Sequence, residues 1–193
     1  MNDLETARQV TANVWFWQGL RWAPGGLIFL LAAATPLLPD STIVTWLAWT
    51  GALALWWFLY QRADRYYASR FGTVVGRTGQ HRRRDRIKWF VVYPAMAASV
   101  LVDLLAAPTV FLSGVVWAAA LLAYRSSTGG GRPHYFVGAA LLAALTPLPA
   151  LGVIDSAAPI VELWALVVGV LYLVLGTLDH LELARRFPLP DES

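Results

Sequence analysis

Six stretches of the chain are almost entirely apolar, and the polar residues gather between them. Each has roughly the length of about 20 residues that a helix needs to cross the hydrocarbon core of a bilayer. The predicted spans are 22–38, 41–60, 89–105, 108–124, 135–151 and 160–178. The pattern therefore predicts an all-α, polytopic helical membrane protein that forms a single transmembrane domain over 1–193.

Helix-breaking and capping residues mark several of the predicted boundaries. The first span ends before Pro39, and Asp40 or Ser41 is placed to cap the second. Almost nothing polar separates the third span from the fourth, but a single helix over 89–124 would be far too long for a bilayer. A tight hairpin near Pro108 is the better interpretation.

No residue at the end of the second apolar stretch would end its helix. Residues 60–71 contain no helix breaker and are followed by Gly72, a residue that commonly ends helices. We therefore expect this helix to extend beyond the membrane into the linker 61–88.

Lysine and arginine predict the orientation. The linker 61–88 carries nine of the fifteen basic residues. The others lie before the first span, in the fourth connection and in the tail: Arg8, Arg21, Arg125, Arg132, Arg185 and Arg186. With six spans all of them fall on one side, which predicts a multi-pass protein of the cell membrane. The N-terminal segment 1–21, which is polar or interfacial, and the tail 179–193 are then cytoplasmic.

The six spans suggest three helical hairpins, and the first hairpin resembles the third. Residues 33–39 and 144–149 share an Ala-x-Thr-Pro-Leu pattern, and each segment is followed by an aspartate and a second span. A duplication of the first and third hairpins would explain the similarity. Apolar sequences also resemble one another by composition alone, so both interpretations stay open.

Composition agrees with a lipid environment and excludes some chemistry. The chain is 58% hydrophobic and 14% charged, whereas a soluble domain carries about 25% charged residues. It has no cysteine, which excludes disulfides, cysteine-ligated metals and thiol nucleophiles. No resident cofactor is predicted.

Two acids near predicted outer span ends are candidates for an ion site. Asp103 lies near the end of the third span and Glu162 near the start of the sixth. Ionisable residues in spans are candidates for function, although ordinary interfacial placement explains both. No span centre carries Lys, Arg, His, Asn or Gln, which argues against an ion-coupled transporter.

A metal site is a further hypothesis. His134 begins the fifth span, and Asp179 and His180 follow the sixth, so an antiparallel hairpin would bring them close. Imidazole with carboxylate suits zinc or iron. The chain lacks a compact ligand motif such as HExxH, and ordinary surface histidines are the alternative.

The linker carries the densest group of charges. Its arginines and tyrosines are candidates for binding anionic lipid or a protein partner, and they are Arg65, Tyr66, Tyr67, Arg70, Arg82, Arg83, Arg84 and Arg86. The alternative is that these charges only direct the topology. Nucleic acid is not the expected ligand, because positive charge beside a span is explained first by the positive-inside rule, the excess of Lys and Arg in cytoplasmic loops.

No catalytic signature appears, so the favoured hypothesis is a non-catalytic accessory, scaffold or regulatory subunit. It would act through another membrane protein or self-association and through anionic lipid of the inner leaflet. The second hypothesis is a small oligomeric permease or channel subunit. The third is a lipid-modifying enzyme at the inner interface.

Overall fold

The computed structural model describes residues 18–71, 87–106, 110–127, 133–153 and 157–186. The regular structure in these ranges is helical, and none of it is a strand. The helices are α1 (Gly25–Ala34), α2 (Thr42–Phe71), α3 (Tyr93–Ala106), α4 (Leu112–Ser127), α5 (Pro133–Leu145) and α6 (Ala157–Arg186). The all-α class and the six helices are confirmed, while the membrane topology and the three hairpins stay predictions.

Two proline-containing segments bound α1. A single helical turn, Gly19–Trp22, precedes it, and Pro24 separates that turn from the helix. After α1 the chain tightens into the 3-10 turn Thr35–Leu37. Leu38 is then extended with ψ 150°, because the ring of the following Pro39 disfavours helical backbone in the residue before it.

Helix α2 is one continuous helix of 30 residues. Ser41 precedes it, and the backbone N–H of Val44 approaches the Ser41 hydroxyl at 3.5 Å, so Ser41 rather than Asp40 takes the capping position. The helix passes through residues 60–71 and ends at Phe71. The predicted extension is therefore confirmed as helix, whereas Gly72 lies outside the described residues.

The third and fourth predicted spans are separate helices, as expected. A π-helical turn, Lys88–Val92, leads into α3, which ends at Ala106. Helix α4 begins at Leu112. Residues 107–109, which include Pro108, lie outside the described part of the chain.

The described residues pack into two compact units, with α6 contributing to both. The first unit belongs to Met1–Val74 and Val168–Ser193, and in it α1 and the turn Gly19–Trp22 pack against α2. The second belongs to Val75–Val167, and in it α4 packs against α3 and α5. The core of the second unit is partly aromatic, with Phe111, Trp117 and Trp164 in edge contact.

Among the residues that the structure describes, three helical segments are long and apolar enough to cross a membrane: Gly19–Leu37, Thr42–Arg70 and Pro159–Arg185. The helices over Phe90–Ala106, Leu112–Tyr124 and Pro133–Leu145 are apolar but shorter. Helices α2 and α6 are both 30 residues long, or about 45 Å at 1.5 Å per residue. Each exceeds the roughly 30 Å hydrocarbon thickness of a bilayer, so each has length to spare for a charged end.

Candidate functional site

The charged end of α2, residues 61–71, contains the most completely buried of the side chains that the structure describes in the first unit. Tyr67 is 0% exposed, although it lies among charged residues of α2. It packs edge-on against His180 of α6, with ring centroids 5.8 Å apart. Asp179, the residue before His180, is also buried. We call Arg21, Asp64, Tyr67, Asp179 and His180 the Tyr67 cluster.

The Tyr67 hydroxyl joins three segments of the chain. It accepts a hydrogen bond from the backbone N–H of Leu20 at 3.1 Å, and it lies 3.1 Å from Nδ1 of His180. The direction of the hydrogen bond between the Tyr67 hydroxyl and Nδ1 depends on the tautomer of the imidazole. This one side chain therefore holds α2, α6 and the turn Gly19–Trp22 together.

An ion pair lies beside the tyrosine. The guanidinium of Arg21 donates to the carboxylate of Asp64 and lies 6.0 Å from the centroid of the Tyr67 ring. Arg21 is only 8% exposed, and a buried arginine is tolerated when it is paired. Asp64 supplies that partner from α2.

Tyr66 and Arg70 make contacts within the first unit. Nη1 of Arg70 donates to the Tyr66 hydroxyl at 2.8 Å, and the Tyr66 ring meets His180 with centroids 5.6 Å apart. Of the residues predicted to bind lipid or a partner, Tyr67 is thus buried and Arg70 is bound to its neighbour. Arg65 is exposed. Arg82, Arg83, Arg84 and Arg86 lie outside the described residues.

Paired glycines bring the backbones of the first unit together beside the cluster. A Cβ added at Gly176 would lie 2.7 Å from the carbonyl oxygen of Gly19, and one at Gly169 would lie 2.9 Å from that of Gly26. Such distances leave no room for a side chain. These contacts are not predicted from the sequence, although Gly19 and Gly26, like Gly169 and Gly176, are seven residues apart, or about two helical turns.

Asp103 binds backbone groups of the next helix in the second unit. Its Oδ1 accepts from the backbone N–H of Leu112 at 2.9 Å, and its Oδ2 accepts from that of Ser113 at 2.6 Å. The first N–H groups of a helix have no partner within the helix, so Asp103, 1% exposed at the end of α3, caps α4. Glu162 is partly exposed in the second turn of α6.

The residues of the proposed metal site divide between the two units. His134 belongs to the second unit and packs against the ring of Tyr135 at 4.9 Å. Asp179 and His180 belong to the first. Over the described ranges, no group of three or more His, Cys, Asp and Glu is arranged to hold a metal ion. The ion and metal sites therefore stay predictions.

The apolar part of α2 contrasts with its charged end. None of the residues from Thr42 to Tyr60 is buried, and its large apolar side chains are widely exposed. They include Ile43, Trp46, Leu47, Trp57 and Phe58. Helix α2 is therefore fastened at its charged end and packs against α1, while many of its apolar side chains from Thr42 to Tyr60 stay exposed.

Comparisons with protein-family models, with curated proteins and with solved structures found no match for this chain.

Proposed function

We propose that the chain is a multi-pass protein of the cell membrane, with both termini in the cytoplasm, and that it is a non-catalytic accessory, scaffold or regulatory subunit. It acts by binding a membrane partner along α2 and anionic lipid of the inner leaflet. The observation that carries the proposal is the absence of any buried residue from Thr42 to Tyr60 in a helix whose other end is firmly held.

The exposed apolar surface of α2 is unfavourable in water but stable in a lipid bilayer. Soluble proteins seldom expose contiguous apolar patches beyond a few hundred Å², so water is a poor solvent for this face. In a bilayer the face is stable against acyl chains and is also available to another helix. Thr50 and Ala54 are small, exposed and four residues apart, which allows a partner helix to approach closely.

The polar residues of the Tyr67 cluster support a fastening role over catalysis. Tyr67 is bound to Leu20 and His180, and Arg21 is bound to Asp64. Catalytic groups need access to substrate, whereas Tyr67 and Asp179 are almost entirely shielded. The cluster thus holds the end of α2 and leaves its apolar part to make contacts.

Photo-crosslinking in intact cells tests this function. A photoreactive amino acid at Leu47, on the open face of α2, is expected to give a discrete covalent adduct with another chain, identified by mass spectrometry. The matched control is Val170 on α6, which is 45% exposed against 66% for Leu47. A partner found from Leu47 and not from Val170 supports the proposal.

Other outcomes count against the proposal. Adducts with lipid alone at Leu47 would mean that α2 has no protein partner. An adduct only with a second copy of the chain would favour the small oligomeric permease or channel subunit instead.

A further inference from the structure

We propose that the exposed face of α2 where its apolar part meets its charged end binds the headgroup of an anionic phospholipid, through Trp57, Phe58, Arg62 and Arg65. The inference deepens the proposed function and rests on its membrane placement. Trp57 and Phe58 belong to the apolar part of α2 and Arg62 and Arg65 to its charged end, and the arginines of 82–86 are not part of the proposed site.

The four side chains occupy one side of the helix. Arg62 follows Phe58 by four residues and precedes Arg65 by three, and these spacings place residues on the same face. All four are exposed, with Trp57 at 56% and Phe58 at 54%. Ala63 and Tyr67, on the opposite side, are buried. The face is therefore open while the back of the helix is packed.

The residue types along this face follow the same order as the layers of a bilayer leaflet. Apolar residues such as Leu47 and Ala54 come first and suit acyl chains. Trp57 follows, with its ring stacked on Tyr60 at 6.2 Å and 16°, and such rings favour the headgroup level. Arginine follows within two turns. A phospholipid presents the same sequence of acyl chain, interface and phosphate.

The two arginines are available to an external anion. Arg62 lies with its guanidinium carbon 5.9 Å from the centroid of the Phe58 ring, which turns the cation toward the apolar part of the helix. Arg65 donates from Nε to the carbonyl of Gln61 at 3.4 Å. Among the described residues no carboxylate pairs with either, because Asp64, the acid between them, pairs with Arg21. Two neighbouring guanidinium groups suit a phosphate.

Depth favours lipid over an acidic protein as the source of the anion. Arg62 lies one turn beyond Phe58 and is drawn back over its ring, so its charge sits where apolar surface ends. A soluble acidic partner would have to reach into the headgroup layer to meet it. A lipid phosphate is already there.

Native mass spectrometry of the full chain in mild detergent tests the site. The probes are phosphatidylglycerol and phosphatidylcholine with identical acyl chains, and the variants are Arg62→Gln/Arg65→Gln and the control Arg185→Gln. Arg185 is an exposed arginine near the end of α6. Each arginine near an anionic surface contributes about fivefold in binding, so the double variant should bind phosphatidylglycerol about 25-fold more weakly. Phosphatidylcholine binding should not change.

The control and a conservative variant separate a site from diffuse charge. Arg185→Gln should change phosphatidylglycerol binding less than about twofold, and Arg62→Lys/Arg65→Lys should bind it more tightly than the glutamine double variant, because both positive charges remain. Unchanged phosphatidylglycerol binding in the glutamine double variant would overturn the proposal. So would an equal loss in Arg185→Gln, or a wild type that binds both lipids alike.

Failure here is distinguishable from failure of the proposed function. A double variant that inserts in membranes and crosslinks normally from Leu47, but has lost its lipid preference, supports the headgroup site by itself. A wild type with no lipid preference that still crosslinks to a partner overturns the headgroup site and leaves the accessory function standing.

Discussion

The charged end of α2 and the junction of α3 with α4 both bury polar groups, but they connect very different parts of the chain. Asp103 binds backbone N–H groups nine and ten residues further on. Tyr67 joins Leu20, 47 residues before it, to His180, 113 residues after it. The Asp103 hydrogen bonds stabilise the connection between two consecutive helices, while those of Tyr67 stabilise the packing of segments that are distant in the sequence. The role of a buried polar residue therefore depends on how far apart in the sequence its hydrogen-bond partners lie.

The glycine contacts beside the Tyr67 cluster should give the largest effect. Replacing Gly26 with Leu places a Cβ 2.5 Å from the carbonyl oxygen of Gly169, and backbone cannot give way as a side chain can. We expect a loss of about 3 kcal/mol or more in the free energy of unfolding, the upper part of the range for overpacking. Unfolding by SDS in mixed micelles measures it.

Gly51 provides the matched control for that substitution. It lies in α2, and nothing is within 4 Å of an added Cβ. Gly51→Leu should leave the unfolding free energy within about 0.5 kcal/mol of wild type, as for an ordinary surface change. Similar losses in Gly26→Leu and Gly51→Leu would remove the close packing of α1 with α6 from the account.

The local cap should give the second effect. Asp103→Ala removes the acceptor for one buried and one partly buried N–H group and should cost about 2 kcal/mol, the upper end for a helix cap. Glu162→Ala should cost much less, because Glu162 is partly exposed. The same unfolding assay compares them. If Asp103 and Glu162 instead form an ion site, both variants should lose ion-dependent stabilisation together.

The hydroxyl of Tyr67 should give the smallest of the three effects. Tyr67→Phe keeps the buried ring but leaves the Leu20 N–H without its acceptor, at a cost of about 1–2 kcal/mol. Tyr66→Phe is the control, since the Tyr66 hydroxyl accepts from Arg70, four residues further along the same helix. A double-mutant cycle of Tyr67→Phe with His180→Ala should show coupling of about 0.5 kcal/mol or more. Additive losses would mean that the Tyr67–His180 contact does not stabilise the first unit.

Much of the fold could be predicted because it depends on local pattern. Apolar runs of suitable length predict the helices, Pro39 predicts the end of the first, and the lack of a breaker over 60–71 predicts the length of α2. The site was harder to predict. The sequence makes Tyr67 and His180 candidates for separate roles, because no local pattern reveals a contact across 113 residues.

Two features escaped prediction for physical reasons. Arg21 precedes the predicted first span, and an arginine in lipid is costly, yet Asp64 lies close enough to pair with it. The contacts of the glycines at 19, 26, 169 and 176 do not follow the spacing of four residues that is typical of small residues between membrane helices. The contacts recur every seven residues instead, and part of the pattern precedes the predicted span.

Accessibility along α2 tests the central claim, that this helix crosses the membrane with an open face and is fastened at its charged end. The chain has no cysteine, so single cysteines at Asp40, Ala54 and Arg65 can be labelled without a background. In intact cells a membrane-impermeant maleimide should label position 40 alone. Position 65 should react only after the membrane is opened, and position 54 should stay unlabelled throughout. Ready labelling at 54, or reaction of 40 and 65 from the same side, would contradict the account.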